Sequence, residues 1–234
     1  MDTKQPIYKD LIAGMFAAGA HFGYSRSRRH PSIKNFIFGS KKGVEILDLE
    51  KTSAELERAK GFVRSLAKGG KQILFVGTKN EAKKIVEDGA LSIDMPFVAE
   101  RWVGGALTNF PEIKRRVALL EDLRSKHEKG ELSVYTKKER LLISKDVERL
   151  ERNFGGIVSM KEMPAALFVV DPKKESIAVD EARFFNIPVI ALANSDCNIK
   201  EIDFPIPCND SSVSSISFFI EQIVQAFKDG RNSQ

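Results

Sequence analysis

The sequence is poor in the residues that build disulfide-rich, metal-binding or membrane-spanning proteins. Its 234 residues contain only two cysteines, Cys197 and Cys208, and three histidines. The cysteines lack the paired spacing of a structural zinc site, and no secretory signal precedes them, so we expect free thiols in a reducing compartment. No apolar run reaches the roughly 18 residues that a membrane-spanning helix needs. These absences predict a cytoplasmic globular protein with no metal and no membrane partner.

Motifs of the common enzyme classes are absent as well. The sequence contains no GxxxxGK[ST] or GxGxxG phosphate loop, no HExxH pair and no GxSxG nucleophile turn. None of His21, His30 and His127 has a companion nucleophile or metal ligand at a recognisable spacing. The sequence therefore assigns no catalytic residue, no metal ligand and no cofactor.

A nucleotide-binding enzyme stays open as an alternative function. The turn Gly77–Lys79 follows a predicted strand and opens a helix, whose N-terminal N–H groups could hold a phosphate. Three aspartates near predicted strand ends, Asp48, Asp171 and Asp196, occupy positions where α/β enzymes place their chemistry. The plainer interpretation is a tight turn at Gly77 and carboxylates that cap the following helices.

Short apolar runs alternate with segments of helical periodicity. The runs are rich in Val, Ile and Phe and are typical of strands covered on both faces. They comprise residues 44–49, 71–77, 95–100, 165–171 and 187–194. Three Thr-x-x-Glu capping patterns mark predicted helix starts, at Thr52 and Glu55, Thr78 and Glu81, and Thr136 and Glu139. The alternation predicts an α/β fold with a parallel sheet and right-handed crossovers.

Residues 109–155 interrupt this alternation with two charged helices. Thr108 or Asn109 is the predicted N-cap of the first helix, and Gly130 ends it. Residues 111–153 carry twelve basic and nine acidic side chains, so the pair cannot be deeply buried. We expect an antiparallel coiled-coil hairpin that is inserted into, and projects from, a single α/β domain spanning residues 1–234.

The stretch from Arg26 to Lys42 is basic and contains no acidic residue. Its cations can each neutralise a phosphate, with free energy from counterion release, and they predict a nucleic-acid contact. They are Arg26, Arg28, Arg29, Lys34, Lys41 and Lys42. We expect the apolar run Phe36–Phe38 to anchor the stretch on the protein body. The alternative is an exposed basic loop without a partner.

A second candidate contact lies between residues 100 and 116, at the start of the predicted hairpin. Its candidate RNA-binding residues are Arg101, Trp102, Thr108, Asn109, Lys114 and Arg115. Trp102 could stack on a base or pack in the core, and packing is the commoner role of a lone tryptophan. The glycines that follow it permit close backbone approach.

Several stretches of the sequence also occur, in the same order, in a known protein family. They are GAHFG (19–23), FIFGSKKGVEILDLEKT (36–52), FVGTKNEA (75–82), ERWVGGALTNF (100–110), the run of residues 164–194, and IDFPIPCND (202–210). On these motifs the sequence resembles, over nearly its whole length, the family of the second protein of the bacterial small ribosomal subunit.

The resemblance implies a fold, a partner and a location. It implies a Rossmann-like (flavodoxin-like) sheet flanked by helices, with a protruding coiled-coil hairpin. It implies binding to small-subunit (16S) ribosomal RNA near the head–body junction, and contact with neighbouring ribosomal proteins, including the largest one of the small subunit. It implies a role in ribosome assembly and translation, without catalysis, nucleotide cofactor or small-molecule substrate. A protein-only adaptor that docks through the hairpin is compatible with this interpretation.

Overall fold

The N-terminal part of the chain forms a helix and a small antiparallel sheet. Helix α1 (Gln5–Ala17) is followed by β1 (Phe22–Ser25), β2 (Ile37–Lys41) and β3 (Val44–Leu47), and the strands lie in the order β1-β3-β2. The prediction that residues 44–49 join the parallel sheet is wrong, because β3 pairs antiparallel with both neighbours. The reason is the two-residue turn before it: Lys42 and Gly43 have φ of 51° and 81°, and such turns return a strand directly as a hairpin.

Five parallel strands build the main sheet. They are β4 (Ile73–Val76), β5 (Phe97–Val98), β6 (Ala166–Val170), β7 (Val189–Ala193) and β8 (Phe204–Pro207), in the order β5-β4-β6-β7-β8. All residues of β4, β6 and β7 are buried, which explains their continuous apolar character. Strand β8 was not predicted, since its sequence, FPIP, holds two prolines; it lies at the sheet edge, where proline is tolerated.

Helices cover both faces of this sheet. They are α2 (Leu49–Lys68), α3 (Asn80–Leu91), α4 (Phe110–Glu128), α5 (Lys137–Phe154), α6 (Ser176–Phe184) and α7 (Val213–Arg231). Alternate strand residues point to opposite layers: Phe75 packs with α2, α3 and α7, whereas Leu74 packs with α4, α5 and α6. The structure is thus an α/β fold with a parallel sheet between helical layers, consistent with the Rossmann-like prediction.

The three predicted capping boxes have different outcomes. Only that of α5 forms, because Thr136 accepts from the Glu139 N–H and the Glu139 carboxylate accepts from the Thr136 N–H. Helix α2 instead begins at Leu49 with Asp48 as its N-cap, so Thr52 lies inside the helix. Thr78 lies outside α3 and bonds elsewhere. Helix starts that compete for nearby caps cannot be ranked from sequence spacing alone.

Helices α4 and α5 pack against each other and are joined by a short 3-10 turn, Glu131–Val134. Leu120 and Leu150 are buried along this contact, and Arg124 pairs with Glu151 across it. Gly130, with φ of 71°, follows the end of α4 as predicted.

The computed structural model describes residues 5–233, with side chains from 10 to 132 and from 134 to 233. The predicted domain boundaries, 1 and 234, lie outside the described residues. Within this range no helix combines the length and apolar character needed to cross a membrane.

Candidate nucleic-acid interface

Five cations of the basic segment, residues 26–42, are exposed on ordered backbone. Two 3-10 turns, Arg26–Arg28 and Pro31–Phe36, link β1 to β2, and the turn of Lys42 and Gly43 follows β2. The exposed cations are Arg26, Arg28, Lys34, Lys41 and Lys42. Within the described side chains none of the five has a carboxylate partner; the Arg28 guanidinium lies 5.4 Å from the centre of the Tyr24 ring. Their charge is therefore available to an external anion.

The basic segment is fixed by hydrogen bonds to the loop after β7. The Tyr24 N–H donates to Ser195 Oγ (2.8 Å), and the His30 N–H donates to the Ser195 carbonyl (2.9 Å). Farther along, the Ile199 N–H donates to Ser32 Oγ (3.1 Å). These bonds hold the backbone of the segment against the loop after β7. The positions that its cationic side chains can reach are therefore restricted.

The predicted apolar anchor of the segment is only partly correct. Phe36 and Ile37 are half-buried, but Phe38 is 80% exposed, so the expectation for Phe38 is wrong. Ile33 is the fully buried anchor. The anchor lies at Ile33 because residues 31–36 form a 3-10 turn that buries this side chain. Phe38 lies in β2, which directs alternate side chains to solvent.

Arg29 differs from the other cations of the segment. Its NH1 lies 3.0 Å from Oε1 of Glu45, a carboxylate that is 1% exposed on the middle strand of the small sheet. A buried carboxylate requires such a cation, because an unpaired charge out of water is costly. Arg29 therefore neutralises a buried carboxylate, and its contact with RNA stays a prediction.

The loop of residues 100–109 is organised by one buried carboxylate, Glu181 of α6. This side chain is 7% exposed and accepts hydrogen bonds from the indole N–H of Trp102 (3.1 Å) and from three backbone N–H groups, those of Gly105 (2.7 Å), Leu107 (2.8 Å) and Thr108 (3.0 Å). Burial raises the pKa of the Glu181 carboxyl, but the hydrogen bonds outweigh burial and lower it. Glu181 is thus an anion that shapes the loop.

Trp102 packs inside the protein, which is the commoner role of a lone tryptophan. It is 7% exposed, and its N–H is taken by Glu181, so its ring is not presented to a base. The other candidates of this group are exposed: Arg101, Thr108, Asn109, Lys114 and Arg115. Arg115 pairs with Glu112 (3.3 Å), and the Lys114 ammonium lies 5.5 Å from the centre of the Phe110 ring. The two groups of candidates are attached to different parts of the body, one to the loop after β7 and the other to α6.

The turn Gly77–Lys79 lies between β4 and β6, where the strand order reverses and doubly wound folds bind ligands. The Gly77 N–H donates to the Val98 carbonyl (3.0 Å), and the donors of Thr78 are occupied as well. The N–H and the hydroxyl of Thr78 both donate to Glu175 Oε1 (3.2 and 2.5 Å), and Glu175 is 4% exposed. A carboxylate therefore stands near the helix start that a phosphate would need, and this geometry gives the nucleotide-binding alternative no support.

Lys79 fills the same cleft with its ammonium group. The Lys79 Nζ lies 2.7 Å from Asp171 Oδ2 and 2.9 Å from Asp210 Oδ2. Burial lowers the pKa of Lys79, but the two carboxylates outweigh burial and raise it, so the side chain is charged. Burial and the nearby Asp171 raise the pKa of Asp210. The polar groups of the cleft satisfy one another.

His21 and the two cysteines have packing roles in the structure. The His21 ring stacks on Phe16 at 4.4 Å, and burial lowers its pKa, which favours the neutral ring. Cys197 and Cys208 are buried free thiols, and burial raises the pKa of both, so neither is a reactive thiolate. Among the described residues, no three metal-ligating side chains come together.

The fold and the site define an α/β protein whose cleft between β4 and β6 is filled by the ion pairs of Lys79. Its basic segment presents exposed cations with no carboxylate partner among the described side chains. Comparison with known proteins identifies the family. The family model of Ribosomal protein S2 matches residues 15–230. The chain is also 42% identical over 223 residues to the small ribosomal subunit protein uS2 of Acidothermus cellulolyticus, across 95% of this chain and 80% of that relative. The chain therefore belongs to the ribosomal protein S2 family.

Family membership confirms the resemblance seen in the sequence. The chain is a structural component of the small ribosomal subunit, acts in translation on the cytoplasmic ribosome, and is not an enzyme.

Sequence reasoning missed the two carboxylates that organise the candidate interface. Glu181 could have been found, because it lies at helical spacing from the buried Ala178 and therefore on the inner face of α6. Glu45 gave a weaker signal, since one glutamate in a short predicted strand also fits an exposed position. Its burial depends on the antiparallel pairing of β3 with both neighbours.

Proposed function

We propose that this protein binds small-subunit rRNA through the exposed cations of the basic segment. The proposal is carried by five exposed cations that have no carboxylate partner among the described side chains. Their backbone is hydrogen-bonded to the loop after β7. Phosphate contacts of this kind give affinity and orientation, whereas they carry no direct sequence information. The role is structural: it holds rRNA in place during assembly and translation.

The exposed residues at the start of α4 form a second proposed contact. Arg101 and Lys114 are the principal cations here, while Arg115 shares its charge with Glu112. Thr108 and Asn109 contribute polar groups at the same place. Trp102 is left out of the proposed contacts, because its ring is buried and bonded to Glu181.

The helices α4 and α5 carry the finer structural proposal. We propose that residues 109–155 are an inserted antiparallel coiled coil that extends from the α/β body and reaches neighbouring components of the subunit. The apolar seam through Leu120 and Leu150 and the ion pair between Arg124 and Glu151 support this arrangement. Docking of the largest small-subunit protein on this chain is likewise a proposal.

The proposal is tested by the salt dependence of rRNA binding. Each phosphate contact contributes about 0.7 to 0.9 to the slope of log affinity against log salt. The double variant Arg26→Ala/Lys34→Ala should lower that slope by about 1.4 to 1.8, which is two contacts.

The matched control removes two exposed lysines from α3 and α7, as Lys84→Ala/Lys228→Ala. This variant should keep the wild-type slope. Equal losses in the two double variants would show that net charge, rather than the basic segment, determines binding.

A further inference from the structure

Ser195 attaches the basic segment at both ends of its first turn. Its hydroxyl accepts from the Tyr24 N–H (2.8 Å), and its carbonyl accepts from the His30 N–H (2.9 Å). These two donors flank the stretch that contains Arg26 and Arg28. Because Ser195 is fully buried, the position of these guanidinium groups relative to the sheet is set inside the protein.

A chain of hydrogen bonds connects Ser195 to the cleft between β4 and β6. The Ser195 N–H donates to Asn194 Oδ1 (2.7 Å), and Asn194 Nδ2 donates to Asp210 Oδ1 (2.8 Å). Asp210 Oδ2 then accepts from Lys79 Nζ (2.9 Å), which also pairs with Asp171. We call Lys79, Asp171, Asp210, Asn194 and Ser195 the Lys79 network.

The Lys79 network joins four loops that follow different strands. Lys79 follows β4, Asp171 follows β6, Asn194 and Ser195 follow β7, and Asp210 follows β8. Asn194 and Ser195 are at most 1% exposed, and Asp210 is fully buried. Polar groups held this far from water are costly unless each keeps its partner, so the loops hold one arrangement.

We propose that Lys79 is a positioning residue for rRNA binding, which acts through Asp210, Asn194 and Ser195 on the basic segment. The inference rests on the proposed function of that segment. Without the ammonium, Asp171 and Asp210 repel each other, and the loop that carries Ser195 loses its fixed position. Doubly wound folds bind a ligand in this cleft. Here the Lys79 network occupies it and fixes the loop that holds the proposed RNA-binding segment.

The first test removes only the bond between Ser195 and Tyr24. In Ser195→Ala, amide exchange at Tyr24 should rise about tenfold in the free protein, since its N–H loses the hydroxyl acceptor. The His30 N–H keeps the Ser195 backbone carbonyl as its acceptor and should exchange as in the wild type. The slope of rRNA affinity against salt should fall by about 0.7 or more, as at least one phosphate contact is no longer held. Ser215→Ala is the matched control, because Ser215 is fully buried and its hydroxyl has no partner among the described residues.

The second test acts on the ammonium itself. Lys79→Met should raise exchange at Tyr24 and His30 and lower the salt slope. Adding Asp210→Asn should restore both in part, since an amide keeps an acceptor for Asn194 and removes the repulsion with Asp171. If the role of Lys79 is purely structural, Lys79→Met will lower the melting temperature. The salt slope of rRNA affinity, measured well below that temperature, will then stay unchanged.

The outcomes separate the two proposals. If the rRNA affinity of the wild-type protein does not change with salt, the RNA-binding proposal is overturned, and with it the RNA part of this inference. Amide exchange at Tyr24 and His30 still measures how firmly Ser195 holds the basic segment. If Ser195→Ala keeps both the wild-type salt slope and the wild-type protection of the Tyr24 amide, the positioning role is overturned. If Lys79→Met does not fold, Lys79→Met/Asp210→Asn replaces it, and a wild-type salt slope in that variant together with wild-type behaviour of Ser195→Ala overturns the proposal.

Discussion

At the scale of single residues, two buried carboxylates decide what the nearby groups can do. Glu45 binds the guanidinium of Arg29, and Glu181 collects the donors of the loop that precedes α4. Both carboxylates are almost out of water, so each must be compensated by charge or by hydrogen bonds. The five exposed cations of the basic segment compensate no buried carboxylate among the described residues, so their charge remains available to a partner.

The first prediction separates Arg29 from its neighbours. Arg29→Ala should destabilise the free protein by about 1 to 2 kcal/mol, because it leaves the Glu45 carboxylate buried without its cation while part of Arg29 was already in solvent. Arg26→Ala should leave stability nearly unchanged and should lower rRNA affinity instead. Urea unfolding and rRNA titration of both variants check this. Equal stability of the two variants would contradict it.

The second prediction concerns Glu181. Glu181→Gln should destabilise the protein by about 3 kcal/mol, because an amide offers one acceptor oxygen where two accept now, and its NH₂ group would face N–H donors. Asp180→Asn is the control: it removes the same charge from the neighbouring, exposed position of α6 and should have little effect. A similar loss in both variants would mean that helix charge, rather than the hydrogen bonds, is responsible.

The stabilisation from Glu181 should also depend on pH. Its pKa is lowered in the folded state from the ordinary value of 4.5, so its contribution is complete above 4.5 and is lost as the pH falls through the folded pKa. The stability difference between wild type and Glu181→Gln should therefore shrink as the pH falls below 4.5. Unfolding curves between pH 6 and 3 give the measurement, and a constant difference would exclude this role.

At the scale of secondary-structure elements, local patterns were reliable where one interpretation had no nearby competitor. The apolar runs became β4, β6 and β7, and Thr136 caps α5 as predicted. The pattern failed at Thr52, since Asp48 lies four residues earlier and accepts two N–H groups at the helix start. It also failed for β8, where two prolines conceal an edge strand.

The capping result gives a prediction for α5. Thr136→Ala should weaken the start of this helix by about 1 kcal/mol, as it removes the acceptor of the Glu139 N–H. Glu81→Gln, which alters a capping pattern that forms no box, should leave α3 unchanged. Amide exchange in the first turns of the two helices distinguishes these outcomes, and unchanged exchange at the start of α5 in Thr136→Ala would contradict the capping role.

At the scale of the whole molecule, the α/β fold is of a kind that often binds nucleotides. Here the cleft between β4 and β6 is occupied by the protein's own side chains. Lys79 pairs with both Asp171 and Asp210, and Glu175 accepts from the donors of Thr78. We therefore expect millimolar ATP or GTP to leave the melting temperature unchanged. A ligand present at its dissociation constant would stabilise by about 0.4 kcal/mol, and a hundredfold excess by about 2.7 kcal/mol. A clear upward shift would restore the nucleotide-binding alternative.

The sequence by itself determined the alternation of strands and helices, the charged helix pair and the acid-free basic segment, because burial periodicity and charge are written in neighbouring residues. Only the tertiary structure decided which cations are free. Arg29 and Arg26 are equivalent in the sequence, and they differ only because Glu45 lies buried beside one of them. The partners of Lys79 and Glu181 lie many positions away along the chain, and only the folding of the strands and loops brings them into contact.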